Sequence, residues 1–333
     1  MFILDSYPWA VVFCVITMLC WGSWANTQKL ARKDWRFELF YWDYAIGVLL
    51  ISLLFGLTLG SAGSQGRSFL PDITQASRNN VVSAFIGGVV FNAANILLVA
   101  AIDIAGMAVA FPVGIGLALV LGVIVNYAAN PVGSPVLLFA GVALVVLAII
   151  VDAIAYRRLP SQTKGVNVKG LGLSVACGIL MGFFYRFVAA SMSPDFTHLE
   201  SGKLGPYAAV CVFSIGVFTS NFLWNTLMMK KPFRGEPVTA AAYFQGDART
   251  HSIGVLGGMI WGVGMALNII ASGKAGFAIS YGLGQGATMV ATLWGVFAWK
   301  EFKDAPAGTN RLIALMFSCF LVGLVLIILA RNV

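Results

Sequence analysis

The stretch from Phe85 to Val120 recurs as Val255 to Val290, without a gap, at a constant offset of 170 residues. Ten of the 36 paired positions are identical, among them Gly87/Gly257, Gly88/Gly258, Gly106/Gly276, Gly114/Gly284 and Gly116/Gly286. Phe91 stands over Trp261, and Phe111 over Tyr281. Each copy is two apolar segments joined at an Ala-Gly pair. Apolar stretches also match by coincidence. A shared GG, an AG turn and a GxG at one offset favour duplication, and a chain made of two like halves has few folds open to it.

The setting of the repeat is lipid. Of 333 residues, 59% are hydrophobic and 10% charged, against about 25% charged in soluble domains. Ten segments reach the roughly 20 apolar residues that a bilayer crossing needs. The predicted spans are Pro8–Gln28, Leu39–Gly60, Val81–Ala105, Met107–Ala129, Ser134–Tyr156, Gly170–Met192, Pro206–Met229, Ile253–Ser272, Gly276–Trp299 and Arg311–Ala330. Ser61–Asn80 and Lys230–His251, rich in Gly, Pro, Ser, Gln and Asn, read as loops. Fifteen Lys and Arg fall in alternate loops (including Lys33, Lys164 and Arg234) and five in the others. The basic side is expected to be cytoplasmic, which puts both termini outside. The first span has no basic flank and no cleavage site, so it reads as a retained helix.

The third and fourth spans repeat as the eighth and ninth, so the repeating unit has five helices. An odd number of crossings inverts the second unit relative to the first. The expected fold is an all-α polytopic membrane protein, ten transmembrane helices as two inverted five-helix repeats. Residues 1–157 form the first repeat, 158–168 a cytoplasmic connector and 169–333 the second. A weaker echo at offset 160 pairs Gly22 with Gly182, Trp24 with Phe184 and Asn26 with Arg186.

Small residues recur every fourth position in the fourth span, from Gly106 through Gly114 to Gly122, and in the ninth, from Gly276 through Gly284 to Thr288. Such a face packs helices closely, and it also suits a sliding surface. Pro112 removes a backbone bond in mid-helix, with Gly282 as its mate, and interrupted helices at matching positions point to a midplane site.

Polar groups in lipid are costly and often functional. Asn92, Asn95, Asn268 and Gln285, with the aromatics Trp261 and Tyr281, are the candidate solute-binding residues. Hydrogen bonds between helices are the plainer reading of each amide. Trp24, Asn26, Tyr185 and Arg186 are candidate gate residues. Arg186 is alternatively a snorkelling base, or a partner of Asp195 or Glu200. Asp43 and Asp152, near helix ends, are the available coupling carboxylates. His198 and His251 read as loop residues, and no metal or nucleophile motif occurs. The chain is therefore expected to be no enzyme and to need no cofactor. Its basic excess, spread over loops, does not suggest nucleic acid.

The stretches CWGSWANTQKL, GGVVF…AGMAVAFPVGIG, GGMIW…AGFAISYGLGQG and WGVFAWKEF resemble the drug/metabolite transporter superfamily. The nearest likenesses are the ureide permeases and the glucose/ribose and rhamnose porters. The resemblance implies a secondary carrier in the cytoplasmic or plasma membrane, a monomer or homodimer. It would take up a small polar solute, a sugar or a ureide- or nucleobase-like compound, by alternating access with protons or sodium. Small multidrug exporters of the superfamily place a Glu in the first helix. No acid follows Asp5 there, which weighs against proton-exchanged export of organic cations; a drug or metabolite exporter on the same fold is the main alternative. A membrane sensor or embedded enzyme is a remote one.

Overall fold

The computed structural model describes residues 1–32, 34–159, 167–233 and 235–332, and the side chains of Met107, Ala108 and Asn332 fall outside that description. Lys33, Lys164 and Arg234, and most of the expected 158–168 connector, lie outside the described residues.

The described chain is helical. Eight helices are long and apolar enough to cross a membrane: α2 (Phe37–Leu57), α3 (Arg78–Ala105), α4 (Phe111–Ala129), α5 (Pro135–Arg157), α6 (Val168–Ser191), α7 (Pro206–Lys230), α8 (Ala248–Ala275) and α11 (Thr309–Leu329). The other two expected crossings depart from plain helices. α1 (Tyr7–Ser23) is shorter than its predicted span, with a separate turn at Asn26–Leu30. The ninth span is broken into α9 (Phe277–Gly284), α10 (Ala287–Leu293) and a π turn at Trp294–Ala298. The two expected loops each carry a short helix, Phe69–Gln75 and Ala240–Tyr243.

Local chemistry sets the helix ends. Proline opens α1, α5 and α7 within the first turn, where a missing N–H costs nothing. Ser77, Asn167 and Asp247 cap α3, α6 and α8 by accepting from backbone N–H groups of the first turn. Gly106 (φ +77°) and Gly276 (φ +85°) end α3 and α8 in a left-handed conformation that suits glycine. The next helix starts at once in both cases, so each Ala-Gly pair is a hairpin without a loop.

Lipid gives no hydrophobic drive for helix association, so close backbone approach carries it. α3 packs against α6 and α7, and α8 packs against α1 and α2. α5 packs against α11, α2 against α7, and α4 against α9. Exchanging α1 with α6, α2 with α7, α3 with α8, α4 with α9–α10 and α5 with α11 maps these neighbours onto themselves. Individual contacts follow. Gly88 faces the Phe213 carbonyl on α7, and Gly258 faces the Tyr44 carbonyl on α2. Gly216 faces the Phe85 carbonyl, and Gly47 that of Val255, the mate of Phe85. None of the four backbones leaves room for a Cβ.

Pro112 lies in a single π turn, Phe111–Ile115, where its missing N–H widens the helix. The interruption in the second repeat does not fall at Gly282, which sits inside α9. It falls one turn later: the Gly286 N–H turns back to the Leu283 carbonyl at 2.9 Å, and α10 starts afresh at Ala287. Gly286 is pressed there against Met18 and Leu324, so the backbone is fixed from α1 and α11.

Candidate functional site

A cavity of about 810 Å³ enters the bundle between α1, α2, α3, α4, α6, α7, α8 and α10. Exposed Ala25, Asp103 and Gly235 stand at its open end. Buried Phe91, Met181, Phe184, Trp261 and Gln285 form its floor. Its walls are mostly apolar and aromatic. Trp21 and Trp261 stack at 5.7 Å with 11° between planes, and Phe91 stacks on Trp261 at 4.3 Å. Floor and wall are built from mates of the repeat: Phe91 and Trp261, Ile115 and Gln285, Trp24 and Phe184 all line it.

Few polar groups face this space. Asn95 donates to the Tyr41 hydroxyl at 3.0 Å, which leaves its carbonyl oxygen to the cavity. The Gln285 side chain makes no hydrogen bond among the described residues, although the residue is only 8% exposed. It sits at the helix break, with Thr288 one turn on, also on the wall. Glu38, Arg36 and Gln28 lie toward the mouth. Arg36 pairs with Glu38 and also donates to the Glu236 carbonyl.

Of the predicted solute-binding residues, Asn95, Trp261 and Gln285 line the cavity, and Asn92, Asn268 and Tyr281 do not. Asn92 donates to Ser220 Oγ at 2.9 Å and to the Val217 carbonyl. Asn268 donates to the Ser280 carbonyl at 2.8 Å. Tyr281 donates to the carbonyls of Ala118 (3.2 Å) and Met181 (3.1 Å). Tyr185 bonds to Ser280 Oγ at 2.9 Å. Behind the floor, Tyr185, Asn268, Ser280 and Tyr281 thus form a hydrogen-bonded plug, tying α8 and α9 to α4 and α6.

Trp24 lines the cavity; Asn26, beside it, accepts from Trp299 Nε1 at 2.6 Å. Arg186 is half-buried on α6, outside the cavity lining, and among the described residues neither Asp195 nor Glu200 pairs with it. Asp195 bonds to Thr197 and His198 instead, which holds its carboxyl well below the usual range. His251, expected in a loop, is in the first turn of α8, 3.0 Å from Asp43. Asp43 also accepts from Tyr243 at 2.6 Å. Asp152 faces Thr292 at 3.2 Å. At the closed end, Asp72 of the Phe69–Gln75 helix accepts from Arg67 (2.9 Å) and the Gly205 N–H (2.7 Å). Burial still pushes that carboxyl up, because desolvation outweighs both donors.

Sequence reading missed Trp21, Phe184 and Glu38 as wall residues. The first two stand in or opposite the CWGSWANTQKL stretch; Glu38 carries no local signal.

The ureide permease family profile matches residues 40–165 and 157–330. Ureide permease 1 of Arabidopsis thaliana is 23% identical over 97% of this chain and 97% of its own length. Ureide permease 4 of the same plant is 23% identical over 100% of this chain and 99% of its own. Transmembrane protein 144 homolog A of Dictyostelium discoideum is 25% identical over 48% of this chain and 38% of its own. A solved crystal structure superposes with a TM-score of 0.59 at 15% identity, over 97% of this chain and 98% of that one, a likeness of fold.

Proposed function

Because the chain belongs to the ureide permease family, a family of transporters and not enzymes, we propose that it takes up a small, flat, polar solute of ureide or nucleobase type. It does so by alternating access, in the plasma membrane, with ion coupling. The observation that carries this is the Gln285 amide, without a side-chain partner among the described residues, at a helix break on the floor of an aromatic cavity. A carboxamide offers one acceptor and two donors. Gln285 and the free carbonyl of Asn95 therefore complement the N–H and C=O edge of a urea-bearing ring. Trp21, Trp261 and Phe91 supply faces on which a flat ring stacks. A sugar would use the amides but gain less from the ring faces.

The two repeats lie inverted across ten crossings, and the mated neighbours and glycine contacts support this. With the basic loops cytoplasmic, the cavity opens inward and the Tyr185–Tyr281 plug closes the outer side. The plug supports alternating access through its mates. Tyr281, Met181, Tyr185 and Asn268 correspond to Phe111, Trp21, Ala25 and Leu98. The first four are packed together at one end; the second four are wall residues of the open cavity at the other.

The test is a thermal-shift and proteoliposome screen of the purified protein against ureides, nucleobases and sugars, since a ligand that binds the folded state raises its stability. A ureide or uracil is expected to raise the melting temperature and to show counterflow. Gln285→Ala is expected to lose at least ten-fold in affinity, on the order of 1.4 kcal/mol. No shift with any ureide or nucleobase, or an unchanged affinity in Gln285→Ala, would overturn the reading. Accumulation only against an opposing ion gradient would make it an exporter.

A further inference from the structure

Asp152, on α5, is 5% exposed. Its Oδ2 lies 3.2 Å from Thr292 Oγ1 on α10, and its Oδ1 is buried with no hydrogen-bond partner. The Thr292 hydroxyl also lies 3.0 Å from the Thr288 carbonyl, one turn back. A hydroxyl has one hydrogen to give. When Thr292 gives it to Thr288, the contact with Asp152 is a hydrogen bond only if the carboxyl brings a proton of its own.

Among the described residues no counter-charge stands beside it. Tyr156 stands four residues on, on the same face of α5, and donates to Glu301 Oε2 at 3.1 Å. Glu301 is paired with Lys29 at 3.1 Å, so that base is already engaged. Glu301 and Tyr156 are the titratable groups that face Asp152. α4, α11 and the turns at Met107–Ala110 and Ala330–Asn332, which also pack on α5, bring no charged group to it among the described residues, and Arg331 of the last donates to the Lys274 carbonyl instead. A buried carboxylate without a cation beside it takes up a proton or an ion. Glu301, with its side chain 31% exposed, is the water-facing end of this cluster.

The cluster is joined to the cavity through one short helix. Gln285, Thr288 and Thr292 are spaced three and four apart, so they share a face. Gln285 and Thr288 line the cavity, and Thr292 meets Asp152. α10 is bounded by the Gln285–Gly286 break and the Trp294–Ala298 π turn, so it can shift as a unit against both.

We propose that Asp152, held by Thr292, is the proton site of this carrier, and that α10 links its occupancy to solute in the cavity. This rests on the transporter reading above. The step is a simple one: a proton from water on one side adds to the carboxylate, and after the conformational change the acid returns it to water on the other. No other bond is made or broken.

Asp152→Asn keeps the shape and the contact with Thr292 but cannot titrate, and Asp43→Asn serves as its comparison, since Asp43 already has two donors. In proteoliposomes with an inward proton gradient, wild type and Asp43→Asn are expected to accumulate labelled ureide or uracil. Asp152→Asn is expected to fall to an inside-to-outside ratio of about one while keeping counterflow. Accumulation by Asp152→Asn, loss of coupling in Asp43→Asn alone, or wild-type accumulation driven by sodium and indifferent to protons would each overturn the proposal. A second readout needs no transport. Difference infrared spectra of the purified protein should show a titrating protonated-carboxyl band that vanishes in Asp152→Asn; a band set unchanged by the substitution would overturn the assignment. If wild type moves none of the probes, the transporter reading fails while the infrared result still decides the proton site.

Discussion

Five buried amides show how little a residue's type says until its partners are known. Asn92, Asn268 and Gln285 are all buried in apolar helices. Asn92 and Asn268 spend their N–H groups on neighbouring backbone and hydroxyl oxygens, whereas the Gln285 side chain has no partner among the described residues. Away from the cavity, Asn221 of α7 leaves both amide atoms, and Asn225 its oxygen, without a partner among the described residues. Interhelical hydrogen bonds in membranes contribute about 0.6 to 1.7 kcal/mol each. Asn92→Ala and Asn268→Ala should therefore each lower stability by about 1 kcal/mol, with ligand affinity changed less than threefold. Gln285→Ala should do the reverse: a melting temperature within a degree or so of wild type, and affinity lost. Melting curves with and without ligand on the three variants check the contrast. A destabilised Gln285→Ala that still binds would return this amide to the packing.

At the scale of elements, helix crossings depend on glycines whose neighbours are backbone. A Cβ at Gly88 or Gly258 meets a carbonyl of the facing helix, whereas one at Gly116 or Gly172 meets nothing within 4 Å. Gly258→Val is expected to cost roughly 1–3 kcal/mol, as overpacking does in tight cores. Gly116→Ala and Gly172→Ala are expected to be neutral or to gain up to about 1 kcal/mol from helix propensity. Detergent melting of these three variants and of Gly88→Val tests this; equal effects at all four sites would mean that the close approaches do not hold the bundle. Much of this scale was legible in the sequence. Hydropathy located the long helices, and the constant offset announced Gly106 and Gly276 as matching hairpins, because a left-handed φ asks for glycine wherever it recurs. Pro112 points to a break at its mate Gly282, but the break lies at Gln285–Gly286, because Met18 and Leu324, distant in sequence, fix that backbone. The same limit governs the site. Sequence alone leaves Asn92 and Tyr281 between solute ligand and helix packing, because nothing local reveals Val217, Ser220, Ala118 or Met181 as their partners. The short helices at Phe69–Gln75 and Ala240–Tyr243 were hidden for a related reason: each is anchored from afar, Asp72 by the Gly205 N–H and Tyr243 by Asp43.

For the whole molecule, the ties at the loops and the ties at the plug behave differently under exchange of the halves. Loop ties are made at both ends: Gln75 donates to the Lys203 carbonyl at one, and Arg36 to the Glu236 carbonyl at the other. They fasten a loop of each half, the first through Gln75 and the second through Glu236. The plug is made at one end only. Tyr185 meets Ser280, while of their mates Ala25 lines the open cavity and Ala110 is buried one residue before the wall residue Phe111. A carrier that alternates must break the first pair as it makes the second. Cysteines at Tyr185 and Ser280, in a background where half-buried Cys20 is replaced by serine, should cross-link readily with a short bifunctional reagent. The cross-linked protein should still show the ligand-induced thermal shift yet transport less than a tenth as fast as the untreated variant. Cysteines at Ala25 and Ala110 should cross-link slowly, and faster when solute and proton gradient drive the cycle. If both pairs cross-link alike with no effect on flux, the halves do not rock, and the asymmetry between the two ends is a fixed property of the fold.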